Sequence, residues 1–243
     1  MKLQRLLLSA IAVSALAMAL PAQAGYVEFS NLYSELNNQH TATVGSTTYT
    51  AQTILDAGGR ADSLFGFKEV GGVTGLGVQG GASGNEIDFN GLDGRERVII
   101  DFGGTTGLTG LTFGAIFNGP EYSDGNEIAR IVASLADGTT ITGVLRTQGD
   151  ASNASARWIV NGVFDKLVDC SGMDDTGPGL CSIVDPFESS SITRLRFLAG
   201  NDNTPNNSDY TLVSMEVPEP AAIGLLGLGL LGLGAVIRRR RSV

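Results

Sequence analysis

Between residues 25 and 216 the chain is cut into short apolar or β-branched runs by clusters of Gly, Asn and Asp, and no stretch there combines a helical period with capping residues. This punctuation constrains the fold more than any other feature. The runs fall at 47–54, 86–89, 97–102, 108–117, 128–135, 140–145, 157–164, 192–198 and 210–217. Their lengths and alternation are those of strands. Nine of them with turn signals between predict an all-β domain, two packed antiparallel sheets in a jelly-roll-like β-sandwich. The glycine-rich segment 71–81 lacks the Gly-Lys-Ser/Thr ending of a phosphate loop and no helix pattern follows it, so it reads as loop and strand edge.

One hairpin register follows from the pattern alone. A two-residue loop at Asp137-Gly138 would set Leu135 against Thr140 and mix the faces. A three-residue loop, 136–138, opposes odd positions to odd, placing Ile131, Ala133 and Leu135 on one face with Ile141 and Leu145. The hydrophobic pattern selects the second, with Gly138 in the left-handed conformation. Trp158, the only tryptophan, alternates with Val160 and Gly162 and is expected to pack in the core or on the sheet, a sugar-stacking platform being the alternative. The two cysteines, Cys170 and Cys181, flank a Gly/Pro/Asp-rich loop. In an oxidising compartment that spacing predicts a disulfide, worth about 3 kcal/mol by loop-closure entropy.

Both ends carry targeting patterns. Lys2 and Arg5 precede an uncharged run, 6–20, and the small-residue pattern Ala22-Gln23-Ala24, so residues 1–24 read as a signal peptide cleaved before Gly25. At the other end, Val217-Pro218-Glu219-Pro220 leads into an uncharged segment, 221–237, and then Arg238-Arg239-Arg240-Arg241. As a helix that segment would be about 25 Å long, just enough for a single transmembrane helix. The arginines would hold its end on the cytoplasmic side, leaving everything before Pro218 outside. Two prolines in four residues make an extended joint that a protease can reach.

This three-part tail, Pro218-Glu219-Pro220, the glycine-rich apolar segment and Arg238 to Arg241, resembles the PEP-CTERM sorting signal of proteins exported by Gram-negative bacteria that make exopolysaccharide. The resemblance implies that exosortase, a transpeptidase-like membrane enzyme, recognises the tail at the inner membrane and passes the protein to the cell surface or extracellular matrix. It covers about the last 27 residues. The expected organisation is therefore a signal peptide, 1–24, an exported β-sandwich domain, 25–216, and a sorting signal, 217–243.

With both ends set aside, residues 25–220 hold 10 basic and 25 acidic residues, a net charge of −15. So acidic a domain should repel nucleic acid and stay soluble. Nucleophilic catalysis is poorly served, because a single histidine, His40, would have to act as base and both cysteines are engaged. Histidine-bound zinc meets the same objection. A two-carboxylate glycosidase needs only two acids, which this chain has in excess and without pattern. No catalytic residue and no obligatory cofactor is assigned. Calcium is the one candidate ion, because oxygen ligands cluster at 121–127, where Asp124, Asn126 and Glu127 are the candidate ligands, and at 201–203 with Asp209 downstream. Three functions follow: a structural or adhesive surface protein associated with exopolysaccharide, a calcium-assisted carbohydrate-binding module, or a secreted glycan-active enzyme.

Overall fold

The computed structural model describes residues 25–218 except 56–58, 81–83, 91–93, 118–125, 149–154, 174–176, 189–190 and 201–207. The expected signal peptide and transmembrane helix lie outside these residues. Among them the chain forms β1 (Tyr26–Glu28), a 3-10 turn at Phe29–Leu32, the single-turn helix α1 (Tyr33–Leu36), β2 (Thr41–Val44), β3 (Thr47–Ile54), β4 (Arg60–Asp62), β5 (Phe65–Val70), β6 (Val73–Val78) and β7 (Phe89–Asn90). There follow β8 (Gly94–Thr106), β9 (Gly110–Gly114), β10 (Ile128–Leu135), β11 (Thr140–Thr147), β12 (Ser155–Val160), β13 (Val163–Ser171), β14 (Leu180–Val184), β15 (Ile192–Ala199) and β16 (Thr211–Glu216).

The domain is all-β and its strands pair antiparallel, as the punctuated sequence predicts. The expectation of two separate sheets is refined. One hydrogen-bonded path runs β2-β3-β8-β15-β10-β11-β12-β13-β14-β9-β16-β6-β5 and curls into a half-barrel. The continuity depends on β13, which pairs with β12 along most of its length and then with β14 at Cys170 and Ser171. Its curl brings the two halves of the path together. Phe113 of β9 meets Phe197 of β15 edge-on at 6.4 Å and Tyr210 at 5.6 Å.

Several expected boundaries are corrected. The run 157–164 is a hairpin, not one strand: Asn161 and Gly162 both take positive φ, 49° and 82°, and turn β12 into β13. That is the conformation of a tight primed turn, for which Asn-Gly is the strongest sequence signal. The run 86–89 is irregular until Phe89. The glycine-rich stretch 71–81 holds all of β6, which turns back on β5 through Gly71 and Gly72, at φ 56° and 81°. Glycine is required along β6 by close approach, since a side chain at Gly75 would overlap Thr211 and one at Gly77 the backbone of Asn85 and Glu86.

The hairpin from β10 to β11 has the expected register. Ala133 faces Ile141 and Ala129 faces Leu145, the loop is 136–138, and Gly138 has φ 86°. Its inward side meets Trp158, which is fully buried, packs on Phe187 at 5.8 Å, and donates from Nε1 to the Pro186 carbonyl at 3.2 Å. Burial of each such large side chain contributes about 1.5–3 kcal/mol. The indole is a core group, not an exposed sugar platform.

Candidate functional site

Four places bear on function: the joint to the tail, an oxygen-rich corner, a buried carboxylate group and a cationic sheet face. At the joint, β1 lies against β16, with Tyr26 opposite Glu216, and the Val217 N–H donates to the Gly25 carbonyl at 3.3 Å. The expected mature start and the entry to the sorting signal are thus neighbours, and Pro218 is exposed. Ala22, Ala24, Glu219, Pro220, Arg238, Arg239, Arg240 and Arg241 lie outside the described residues.

The oxygen-rich corner brings together two segments that sequence reading treated separately. Glu127 is buried, and its Oε2 accepts the Asp209 N–H at 2.7 Å. Beside it the Ile128 N–H donates to Ser208 Oγ at 3.1 Å, and the Glu127 carbonyl accepts the Thr147 N–H at 3.1 Å. Asn126 is half-buried, while Asp124 and 201–203 lie outside the described residues. Among the described residues no group of three His, Cys, Asp or Glu side chains is arranged to hold a metal ion. One Glu127 oxygen is already bonded to the backbone, so its visible role is to fasten Asp209 beside β10.

The cysteines form the expected disulfide, Cys170 to Cys181, directly opposite one another where β13 meets β14. His40 donates from Nδ1 to the Ser63 carbonyl at 3.0 Å and sets Nε2 3.3 Å from Asp62, which fixes it beside β4.

Besides Glu127, Glu86, Asp88 and Glu96 are buried carboxylates. Lys68 Nζ bonds Glu86 Oε2 at 2.7 Å, and the Asp88 N–H donates to Glu96 Oε2 at 3.1 Å. Burial pushes the Glu96 carboxyl up to about 8, helped by the charges of Asp88 and Glu86 and opposed by the Asp88 N–H bond. All three are enclosed within the domain.

The cationic face is on the outside of the curled sheet, where five adjacent strands run in the order β8, β15, β10, β11, β12. Strand β8 supplies Arg95 and Arg97, β15 supplies Arg194 and Arg196, and β10, β11 and β12 supply Arg130, Arg146 and Arg157. They share one side because registered partners do: Arg97 opposes Leu198, which opposes Arg130, which opposes Val144. The same strands turn Val98, Phe197, Ile131 and Leu145 into the core. Their only carboxylates are Glu96, buried, and Asp101, which pairs with Arg194. A hollow of about 300 Å3 opens on this face, lined by Arg95, Arg130 and Arg146 with Ile128, Thr142, Val144, Ile159 and Gly200. Sequence reading missed it, because the non-sequential strand order β8-β15-β10 brings these arginines onto one face.

No curated protein and no solved structure matches the chain. Residues 216–241 match the family model for the PEP-CTERM protein-sorting motif. That motif implies export, processing by exosortase at the membrane and an extracellular destination, and the chain carries it as its sorting signal.

Proposed function

We propose that the chain is a non-enzymatic component of the bacterial cell surface or extracellular matrix, its β domain serving a structural or adhesive role alongside exopolysaccharide. The sorting motif at 216–241 carries this reading. The exposed Pro218 beside Gly25 adds support, since a processing enzyme would meet an accessible extended joint at the edge of a folded domain. In this scheme residues 1–24 are removed as a signal peptide, 221–237 span the inner membrane of a Gram-negative host as a transient anchor, and Arg238 to Arg241 hold its end inside. The test is intact mass of the protein from the host's surface fraction and medium. A mass starting at Gly25 and ending between Pro218 and Pro220, with any added group, supports the scheme. A mass that retains 221–243 makes the protein a membrane-anchored periplasmic one and overturns it.

A calcium-assisted carbohydrate-binding module is the second reading, favoured by the bond that draws the segment of Glu127 to that of Asp209. Asp124, Asn126 and Glu127 would be its ligands. Glycan arrays probed with calcium and with chelator decide it, equal silence in both excluding it.

A further inference from the structure

We propose that the outer face of β8, β15, β10, β11 and β12 binds a carboxylate-bearing polysaccharide, its acid groups held by Arg95, Arg130 and Arg146 at the hollow. The proposal rests on the surface or matrix reading above and names the chemistry of the glycan.

Charge distribution comes first. Residues 25–220 are acidic by 15 charges, yet seven of their ten basic residues lie on this one face. At physiological ionic strength the field of distant carboxylates is screened within about 8 Å. The arginines are also crowded. Burial lowers the Arg97 pKa, and the charges of Arg60, Arg196 and Arg194 lower it further. A bound anion would relieve that repulsion.

The shape favours a glycan over the other polyanions. A hollow of about 300 Å3 is at the small end of ligand sites and suits one or two sugar rings rather than a flat protein contact. Its lining alternates guanidinium groups with Ile128, Val144 and Ile159, and a sugar ring offers both carboxylate or hydroxyl oxygens and apolar C–H faces. Beyond Ile159 lies Phe164, exposed, with the Arg157 guanidinium 5.0 Å over its ring, a further surface on which a sugar can stack. Guanidinium is the cation best matched to carboxylate, through two parallel N–H···O bonds. Arg97 is buried and bonds Gln52, but exposed arginines two strands apart, such as Arg130 and Arg157, are about 10 Å apart across the sheet, a spacing suited to a sparsely charged chain. Duplex DNA carries a charge every ~1.7 Å and would bring far more of its backbone against the acidic remainder.

The experiment uses the protein as recovered from its host, with sodium alginate as the carboxylated probe, dextran as the uncharged one, and duplex DNA as the competing polyanion. Binding to alginate, weakening as salt rises, and little binding to dextran are expected. Arg130→Gln, at an exposed position, should weaken alginate binding several-fold, and Arg95→Gln/Arg130→Gln/Arg146→Gln about tenfold or more. Lys166→Gln, which removes a charge away from the face, should leave it unchanged. Equal affinity for alginate and dextran, no effect of Arg130→Gln, tighter binding to DNA than to alginate, or salt-sensitive self-association without alginate binding would each overturn the proposal. Failure here with the protein still found processed at the surface leaves the broader reading intact. Alginate binding by a protein retained in the periplasm would defeat only that reading.

Discussion

The indole of Trp158 lies against Gly143 of the adjoining strand so closely that a methyl group on the glycine would overlap the ring at its Cη2 corner and press on Phe187. Both residues face the core, and the missing side chain at Gly143 is the space the indole occupies. Gly143→Ala should therefore destabilise the domain by about 1–3 kcal/mol through overpacking. Trp158→Ala, which empties that space and removes the bond to Pro186, should cost about 3–5 kcal/mol. Urea unfolding checks both. An unchanged midpoint for Gly143→Ala would mean that the indole moves aside freely.

Glu96 makes stability depend on pH. Its carboxyl is raised from 4.5 to about 8 in the folded domain by burial first and by the neighbouring acids second. Between those pH values the folded state keeps a proton that the unfolded chain has released. Unfolding then liberates a proton, so stability falls as pH rises, by about 1.4 kcal/mol per unit for one proton, and the slope ends above about pH 8. Glu96→Gln removes this contribution, so the variant should gain on the wild type as pH rises. Parallel stability curves for the two from pH 5 to 9 would show that Glu96 ionises normally.

The seam between the two halves of the curled sheet is narrow. Strands β13 and β14 share only the registered pairs Cys170 with Cys181 and Ser171 with Leu180, and the disulfide joins the first of these across a Cα separation of 4.3 Å. Closing a loop of this length stabilises by about 3 kcal/mol. Reduction, or Cys170→Ala/Cys181→Ala, should lower stability by about that amount and speed hydrogen exchange first at β13 and β14. Uniform loss of protection over all strands would place the weak point elsewhere.

What the sequence disclosed depended on whether a residue's surroundings are local. Strands β3 and β10 were bounded correctly because their alternation is complete within the run, and Gly138 was placed because a three-residue loop alone keeps Ala133 and Ile141 on one side. Strand β6 was hidden because Gly75 and Gly77 have poor strand propensity, and their reason for being glycine is close approach, of Gly75 to Thr211, distant in sequence, and of Gly77 to the backbone of Asn85. The turn at Asn161-Gly162 was legible and was passed over because the apolar run continues through it. The sorting tail could be read whole, since its signal is linear. The arginine face could not, because Arg97 and Arg130 become neighbours only when β15 inserts between β8 and β10.

Glu127 offers a test of how the corner is fastened. Its Oε2 accepts the Asp209 N–H at 2.7 Å, and the carboxylate is shut from solvent on the side of β10. Glu127→Ala would leave a backbone donor without its acceptor, at a cost of about 1–3 kcal/mol. Glu127→Gln keeps an acceptor oxygen and loses only the charge, so it should recover much of that stability. Thermal unfolding of the two variants separates the effects, with exchange of the Asp209 amide as the local reading. That amide should exchange faster in Glu127→Ala than in Glu127→Gln. Equal exchange in both would show that the carboxylate charge, and not the acceptor atom, holds Asp209 in place.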